Sequence, residues 1–160
     1  MKITIAKEHL LNGLQAVQNV VGSRTTLPIL SNVLMEKNGE TLTLLATDIE
    51  IQITTTTPTV GAEKAFMTVG ARKLQDILRS LPESADVTLA LDDKRLQLKA
   101  GKSRFNLQTL PAEDFPRMTR VDGQTTRLSL SQGRLKRLLG LVQYAMAQQD
   151  IRYYLNGLLL

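Results

Sequence analysis

Residues 2–35 read KITIAKEHLLNGLQAVQNVVGSRTTLPILSNVLM, and residues 127–160 read RLSLSQGRLKRLLGLVQYAMAQQDIRYYLNGLLL. The two stretches align without a gap, each residue of the first falling 125 positions before its counterpart. Leu10, Leu14, Val17, Gln18, Leu30 and Leu34 meet identical residues at Leu135, Leu139, Val142, Gln143, Leu155 and Leu159. Ile3 and Ile5 meet Leu128 and Leu130. Self-similarity at a fixed period marks a structural unit used more than once, since each copy must bury its apolar positions in the same way. The pattern predicts a first module over residues 1–122 and the opening of a second, identical one over residues 123–160. A chain that stops so early in its second module reads as a piece of a larger ring, array or multidomain protein.

Within the first module one order of elements occurs twice. Residues 2–5 alternate apolar and polar, the two-residue period of a half-buried strand. Leu10, Leu14, Val17 and Val21 recur every three to four residues and predict a helix over residues 7–21, capped by Gly22. Strand-like runs follow over residues 29–37, 41–46 and 49–57, and Asn38-Gly39 between the first two is a hairpin signal. Residues 65–69 then predict a short strand, and Leu74, Ile77, Leu78 and Leu81 a helix over residues 71–81. Three alternating runs over residues 87–91, 95–99 and 103–110 make a meander, turned at Asp92-Asp93-Lys94 and Ala100-Gly101-Lys102. Strand, helix and three strands, twice over, is an α+β fold with antiparallel sheets and the helices gathered on one side. Residues 111–124, PAEDFPRMTRVDGQ, are polar, lack a period and read as a connector between modules.

With 160 residues and 42% hydrophobic content, the chain can bury one full domain. No run approaches the roughly 18 apolar residues of a membrane span, and the N-terminus lacks the apolar stretch of a signal peptide. The absence of cysteine excludes disulfides, thiol nucleophiles and thiolate metal sites, and a cytoplasmic location is the default expectation. Net charge is +5, unevenly spread. Residues 1–125 hold 15 basic and 14 acidic side chains, whereas residues 126–160 hold Arg127, Arg134, Lys136, Arg137 and Arg152 against Asp150 alone. Such a patch suits an anionic partner such as nucleic acid, or else a solvated helix face.

The outward helix faces carry the same bias. Opposite the apolar stripes stand Asn12, Gln15 and Asn19 on the first helix, and Arg72, Asp76 and Arg79 on the second. The helix that begins the next module presents Lys136, Arg137, Gly140 and Tyr144. Only Asp76 is acidic, which suits a surface turned toward phosphates, where each carboxylate adds repulsion.

Catalytic chemistry finds little support in these residues. His9, the single histidine, sits in the first turn of a helix, and a zinc site would need an almost all-carboxylate ligand set. Asp92/Asp93 and Glu113/Asp114 read as turn and loop residues. Asp48 and Glu50 fall on one face of a predicted strand, the basis of an alternative reading as a metal-dependent nuclease, which needs such carboxylates clustered around cations. Neither glycine-rich phosphate motif occurs, so no nucleotide or other cofactor is expected. A further alternative is a protein-interaction module whose basic patch takes acidic partners. Two loops are more pointed. Arg24 follows the first helix, and its counterpart Gln149 opens the run leading to Arg152, Tyr153 and Tyr154. Arginine can hold a phosphate through two parallel bonds, and an exposed tyrosine can stack on a base or bond the backbone. If the tyrosines begin a strand, alternation exposes one and packs the other.

Four motifs together resemble the bacterial DNA sliding clamp family, the beta subunit of DNA polymerase III. They are Thr26-Leu27-Pro28-Ile29-Leu30, Ala46-Thr47-Asp48-Ile49-Glu50, Leu110-Pro111-Ala112-Glu113-Asp114-Phe115-Pro116 and Gln149-Asp150-Ile151-Arg152-Tyr153-Tyr154-Leu155-Asn156-Gly157. The resemblance implies a clamp domain with helices on the inner side, and a non-catalytic processivity factor. Such proteins close as a head-to-tail homodimer ring around double-stranded DNA and tether the replicative polymerase, with a clamp loader as a further partner. Carried onto this sequence, the family's DNA contacts fall on Arg24, Arg72, Gln149, Tyr153 and Tyr154. Its subunit interface falls on Phe105 and Leu107 in an edge strand, with Lys73, Arg95, Lys102 and Arg104 facing acidic residues. The resemblance implies three domains per protomer, of which this chain holds one and the start of a second, too little to close the ring alone.

Overall fold

The computed structural model of the chain describes residues 2–22, 27–61, 64–92, 95–118 and 128–159. The chain divides into two units, Met1–Thr119 and Arg120–Leu160. The predicted boundary between residues 122 and 123, the Arg24 loop and the Asp93-Lys94 part of one turn lie outside the described residues.

In the first unit β1 (Lys2–Ala6) leads directly into α1 (Lys7–Val17), followed by β2 (Asn32–Asn38), β3 (Thr41–Thr47) and β4 (Gln52–Pro58). The second half runs β5 (Ala65–Gly70), α2 (Ala71–Ser80), β6 (Asp86–Asp92), β7 (Arg95–Ala100) and β8 (Ser103–Gln108). The two four-stranded antiparallel sheets have the orders β1-β6-β7-β8 and β4-β3-β2-β5. Each half thus gives its leading strand to the other half's sheet. Ile3 and Ile5 of β1 stand opposite Leu89 and Val87 of β6. Val33 and Met35 of β2 stand opposite Val69 and Met67 of β5. Alternation along the strands sends these side chains to one face, where they join Leu10, Leu14, Leu74 and Leu78 of the helices in a single core. Fully burying each such side chain contributes about 1.5–3 kcal/mol, and neither half can collect that gain alone.

Close approach of α1 to its sheet depends on Gly13, where an added Cβ would come within 2.5 Å of the Leu44 Cδ1. Two buried lysines tie loops rather than face solvent. Lys7 Nζ donates to the Leu81 carbonyl at 2.7 Å, and its backbone N–H donates to Ala85, fastening the start of α1 to the segment after α2. Lys37 Nζ donates to the carbonyls of Gly39 and Gly61.

Several element ends differ from the sequence reading. The helix stops at Val17 and tightens into a 3₁₀ turn over Gln18–Val20, whose last bond runs from Val21 N–H to the Gln18 carbonyl. That closure satisfies the terminal carbonyl, so Gly22 is not a left-handed cap; its carbonyl accepts from Ser31 Oγ instead. Residues 29–31 belong to a 3₁₀ turn opened by Pro28, not to β2. The first hairpin pairs Asn38 with Thr41, so its two-residue loop is Gly39-Glu40, with Gly39 at φ +60°. Asp48 and Glu50 stand in a turn, not on a strand face. Asp48 Oδ1 accepts the N–H groups of Glu50 (3.0 Å) and Ile51 (2.7 Å), and Ile49 takes φ +83°.

The connector also needs correction. Residues 109–118 form a strap across the outer face of the sheet β4-β3-β2-β5. Thr68 Oγ1 donates to the Leu110 carbonyl at 2.7 Å and accepts from Leu110 N–H and Asn32 Nδ2. Ala112 and Phe115 are buried on Leu34 and Leu45, the outward-facing leucines of β2 and β3. Arg117 then pairs with Glu36 at 2.5 Å and lies over the Phe66 ring, and Met118 N–H donates to Gln52 Oε1. The strap completes the first module by covering a face that would otherwise be exposed apolar surface.

In the second unit α3 (Gln132–Val142) is followed by 3₁₀ turns over Gln143–Ala145 and Tyr153–Asn156. Every one of these sits 125 residues after its counterpart in α1, Gln18–Val20 and Pro28–Ser31. The bonds repeat as well. Met146 N–H to Gln143 matches Val21 to Gln18, and Leu155 N–H to Arg152 matches Leu30 to Leu27. Residues 128–130, the counterparts of part of β1, form no strand among the described residues. β1 is a strand through its pairing with β6, and the described part of the second unit offers no such partner.

Candidate nucleic-acid interface

α1 and α2 lie side by side, and between them runs an open groove of about 500 Å³ lined by Leu14, Gln18, Asn19, Val21, Ala71, Arg72, Gln75 and Arg79. Among the described residues no carboxylate lines it. Arg72 and Arg79 are exposed, and among the described residues neither enters an ion pair. Gln75 is buried and its Nε2 donates to Gln18 Oε1, joining the helices at the floor of the groove. Asp76, the one acid among the outward helix positions, lies on the other flank of α2. There it lines a second groove with Lys73, Ile77, Ser80, Arg104, Phe105, Asn106 and Leu107. The helix therefore separates its charges: guanidiniums toward α1, the carboxylate toward β8.

That second groove gathers four of the predicted interface residues, Lys73, Arg104, Phe105 and Leu107, beside β8 at the edge of its sheet. Leu107 is buried in the core and Phe105 packs against it, so β8 turns Arg104, Asn106 and Gln108 outward rather than an apolar stripe. The edge is thus polar outside and apolar along its groove. Arg95 and Lys102 stand at opposite ends of the β7–β8 hairpin, Arg95 opposite Gln108 and Lys102 in its two-residue loop with Gly101.

Arg24 lies outside the described residues; the rest of the predicted DNA set beyond Arg72 shares one loop of the second unit. Gln149 occupies the left-handed region at φ +56°, where non-glycine residues are uncommon. Asn156 closes the loop from within, its Oδ1 accepting from Asp150 N–H and its Nδ2 donating to the Asp150 carbonyl, both at 3.0 Å. Arg152 holds both carboxylate oxygens of Asp150 at 3.1 Å through Nε and Nη2. That side-chain pairing, with the Arg152 backbone N–H, draws the Asp150 carboxyl below the ordinary aspartate range and raises the Arg152 guanidinium. Arg152 is thereby spent on the loop, which the charge count could not show. Tyr153 and Tyr154 begin a 3₁₀ turn, not a strand, so both rings are exposed (83% and 67%), meeting edge to face at 5.9 Å.

Comparison with known proteins gives a consistent result. The profile of the family described as "DNA polymerase III beta subunit, N-terminal domain" matches residues 1–119. The beta sliding clamp of Pseudomonas putida KT2440 is 48% identical over 167 residues, covering 100% of this chain and 44% of that protein. The beta sliding clamp of Escherichia coli K12 is 44% identical over 160 residues, covering 99% and 43%. Among solved structures, the DNA polymerase III subunit beta of Pseudomonas aeruginosa superposes with a TM-score of 0.92 at 46% identity, over 98% of this chain and 43% of that one. Caulobacter crescentus pol III beta gives 0.90 at 43% identity, over 98% and 42%. The chain spans less than half the length of these relatives.

Proposed function

Because this chain belongs to the DNA polymerase III beta subunit family, we propose that it serves a sliding clamp, a processivity factor without catalysis of its own that holds duplex DNA and tethers the replicative polymerase. The groove between α1 and α2, lined among the described residues by no carboxylate and by two guanidiniums that enter no ion pair there, is the observation that carries this reading. A track for sliding needs contacts to phosphates, which hold position without reading sequence. Each contact is weak and falls with added salt as counterions reclaim the backbone. Arg72 supplies such a contact from α2, and Arg24 is proposed as another. In the second unit Gln149 and the two tyrosines offer amide, hydroxyl and ring surfaces to the same kind of ligand.

The α2–β8 groove is proposed as the surface that meets another protomer of a head-to-tail homodimer. Phe105 and Leu107 give it an apolar floor, and Lys73 and Arg104, with Arg95 and Lys102 farther along the hairpin, face acids on the partner. Residues 1–122 act as one clamp domain and residues 123–160 as the start of the next. The clamp loader is a further expected partner, and the cytoplasm the expected location. The metal-dependent nuclease finds no support: Asp48 spends its carboxylate on a turn.

Fluorescence anisotropy with two labelled duplexes of unrelated sequence tests the reading. Equal affinities that weaken together as salt rises are expected. Affinity that depends on sequence, or ignores salt, would contradict it, and cleavage of either duplex with added Mg²⁺ would revive the nuclease. Displacement of a bound acidic peptide by either duplex separates a DNA track from a site for acidic proteins.

A further inference from the structure

We propose that Arg79 is a second phosphate-contacting residue of α2, and that the Gln75–Gln18 bond is the positioning device that keeps this groove lined with donors. The proposal rests on the DNA reading above and extends it to residues that the family resemblance does not carry. Arg72 and Arg79 are seven residues apart, nearly two full turns, so they share one face at about 10.5 Å along the axis. Both line the α1–α2 groove, and neither meets a carboxylate among the described residues. That separation is about three base-pair steps at 3.4 Å each, enough for the two guanidiniums to take different phosphates.

The amides beneath them reinforce the arrangement. Gln75 is buried and spends a donor on Gln18 Oε1, so the Gln18 NH₂, which donates to none of the described residues, is the group that side chain offers the groove. A groove presenting guanidinium and amide N–H groups, with its nearest acid turned to the opposite flank of the helix, is matched to phosphate oxygens. Gln18 is also one of the six identities of the 125-residue repeat, meeting Gln143 at the same point after α3. Arg79 has an alternative use in the last turn of α2, where a cation favours the helix dipole. That use would affect melting and leave DNA untouched.

The test uses the 160-residue chain, a duplex of arbitrary sequence, and binding measured from 50 to 200 mM salt. Arg79→Gln should reduce the slope of log affinity against log salt by about 0.9, the value of one phosphate contact. Arg79→Lys should restore the slope, and Gln75→Ala should weaken binding with the slope unchanged, since it removes no charge. Melting of each variant is recorded beside the binding. If Arg72→Gln lowers the slope and Arg79→Gln does not, Arg79 is only a helix-end cation: the inference falls and the DNA reading stands. If neither substitution alters the slope, or the unsubstituted chain ignores duplex at 50 mM salt, the groove is no DNA track and both fall.

Discussion

α1 and α3 are nearly the same helix in different circumstances. They occupy positions 125 residues apart, wind into matching 3₁₀ turns and close them with the same backbone bonds. Yet Leu10, Leu14 and Val17 are 0–1% exposed, whereas of their counterparts Leu135 and Val142 are 39% and 48% exposed and Leu139 is half-buried, and α3 buries no residue. The difference is the sheet. α1 lies on β1, β3 and β4, while the described part of the second unit contains no strand. Local sequence thus specifies the course of the backbone in both places, and long-range pairing decides whether that course acquires a core. An isolated helix of 11 residues is marginal in water, since nucleation outweighs so few bonds.

Hydrogen exchange should expose this contrast most strongly. Amides of α1 are expected to exchange only through global unfolding, with protection above about a thousandfold, while those of α3 stay within about tenfold of an unstructured chain. Equal protection in the two helices would break the comparison. Truncation of the apolar stripe sharpens it: Leu14→Ala should cost about 2–5 kcal/mol by denaturant unfolding, and Leu139→Ala within about 0.5 kcal/mol. A cost for Leu139→Ala matching that of Leu14→Ala would mean that α3 has a core after all. Phe115→Ala, which uncovers the outer leucines of β2 and β3, is expected to cost about 3 kcal/mol. A neutral result would return residues 109–118 to the status of a linker.

The smallest effect concerns the Asp150–Arg152 pair, present in the second unit only. An NMR titration should find the Asp150 midpoint below the ordinary aspartate value, and Arg152→Ala should raise it. Because the folded value is depressed, the contribution to loop order is present above the ordinary aspartate value and fades as pH falls through the depressed one. The pair is exposed, so the global melting curve should scarcely register it. An unmoved midpoint in Arg152→Ala would remove the guanidinium as its cause.

Local features were legible from the amino-acid pattern, and pairing was not. In the first unit periodicity located α1, α2 and the eight strands found among the described residues, because each apolar stripe had a regular period to follow. Nothing in it showed β1 joining β6 and β5 joining β2, since pairing partners are far apart in the chain. The Asp48 turn was read as strand because Ile49 and Ile51 continue an alternating pattern; both are in fact exposed. Phe115 stands in a polar stretch without a period, so no pattern marks it, yet it is the aromatic that anchors the strap on Leu34 and Leu45. The helical wheel placed Asp76 beside the arginines, and only the packing of α1 and β8 on opposite flanks of α2 divided them. Tyr153 and Tyr154 illustrate the same limit: alternation holds for a strand, and this segment turns as 3₁₀, as Pro28–Ser31 does in the first unit.

Mapping amide shifts as duplex DNA of arbitrary sequence is added to the isotope-labelled chain tests the central claim most directly. Within the first unit, the perturbed residues are expected to converge on Gln18, Asn19, Arg72, Gln75 and Arg79, with the strap over the outer sheet silent. Shifts centred on residues 109–118 or on β4, with the groove between α1 and α2 unchanged, would contradict it.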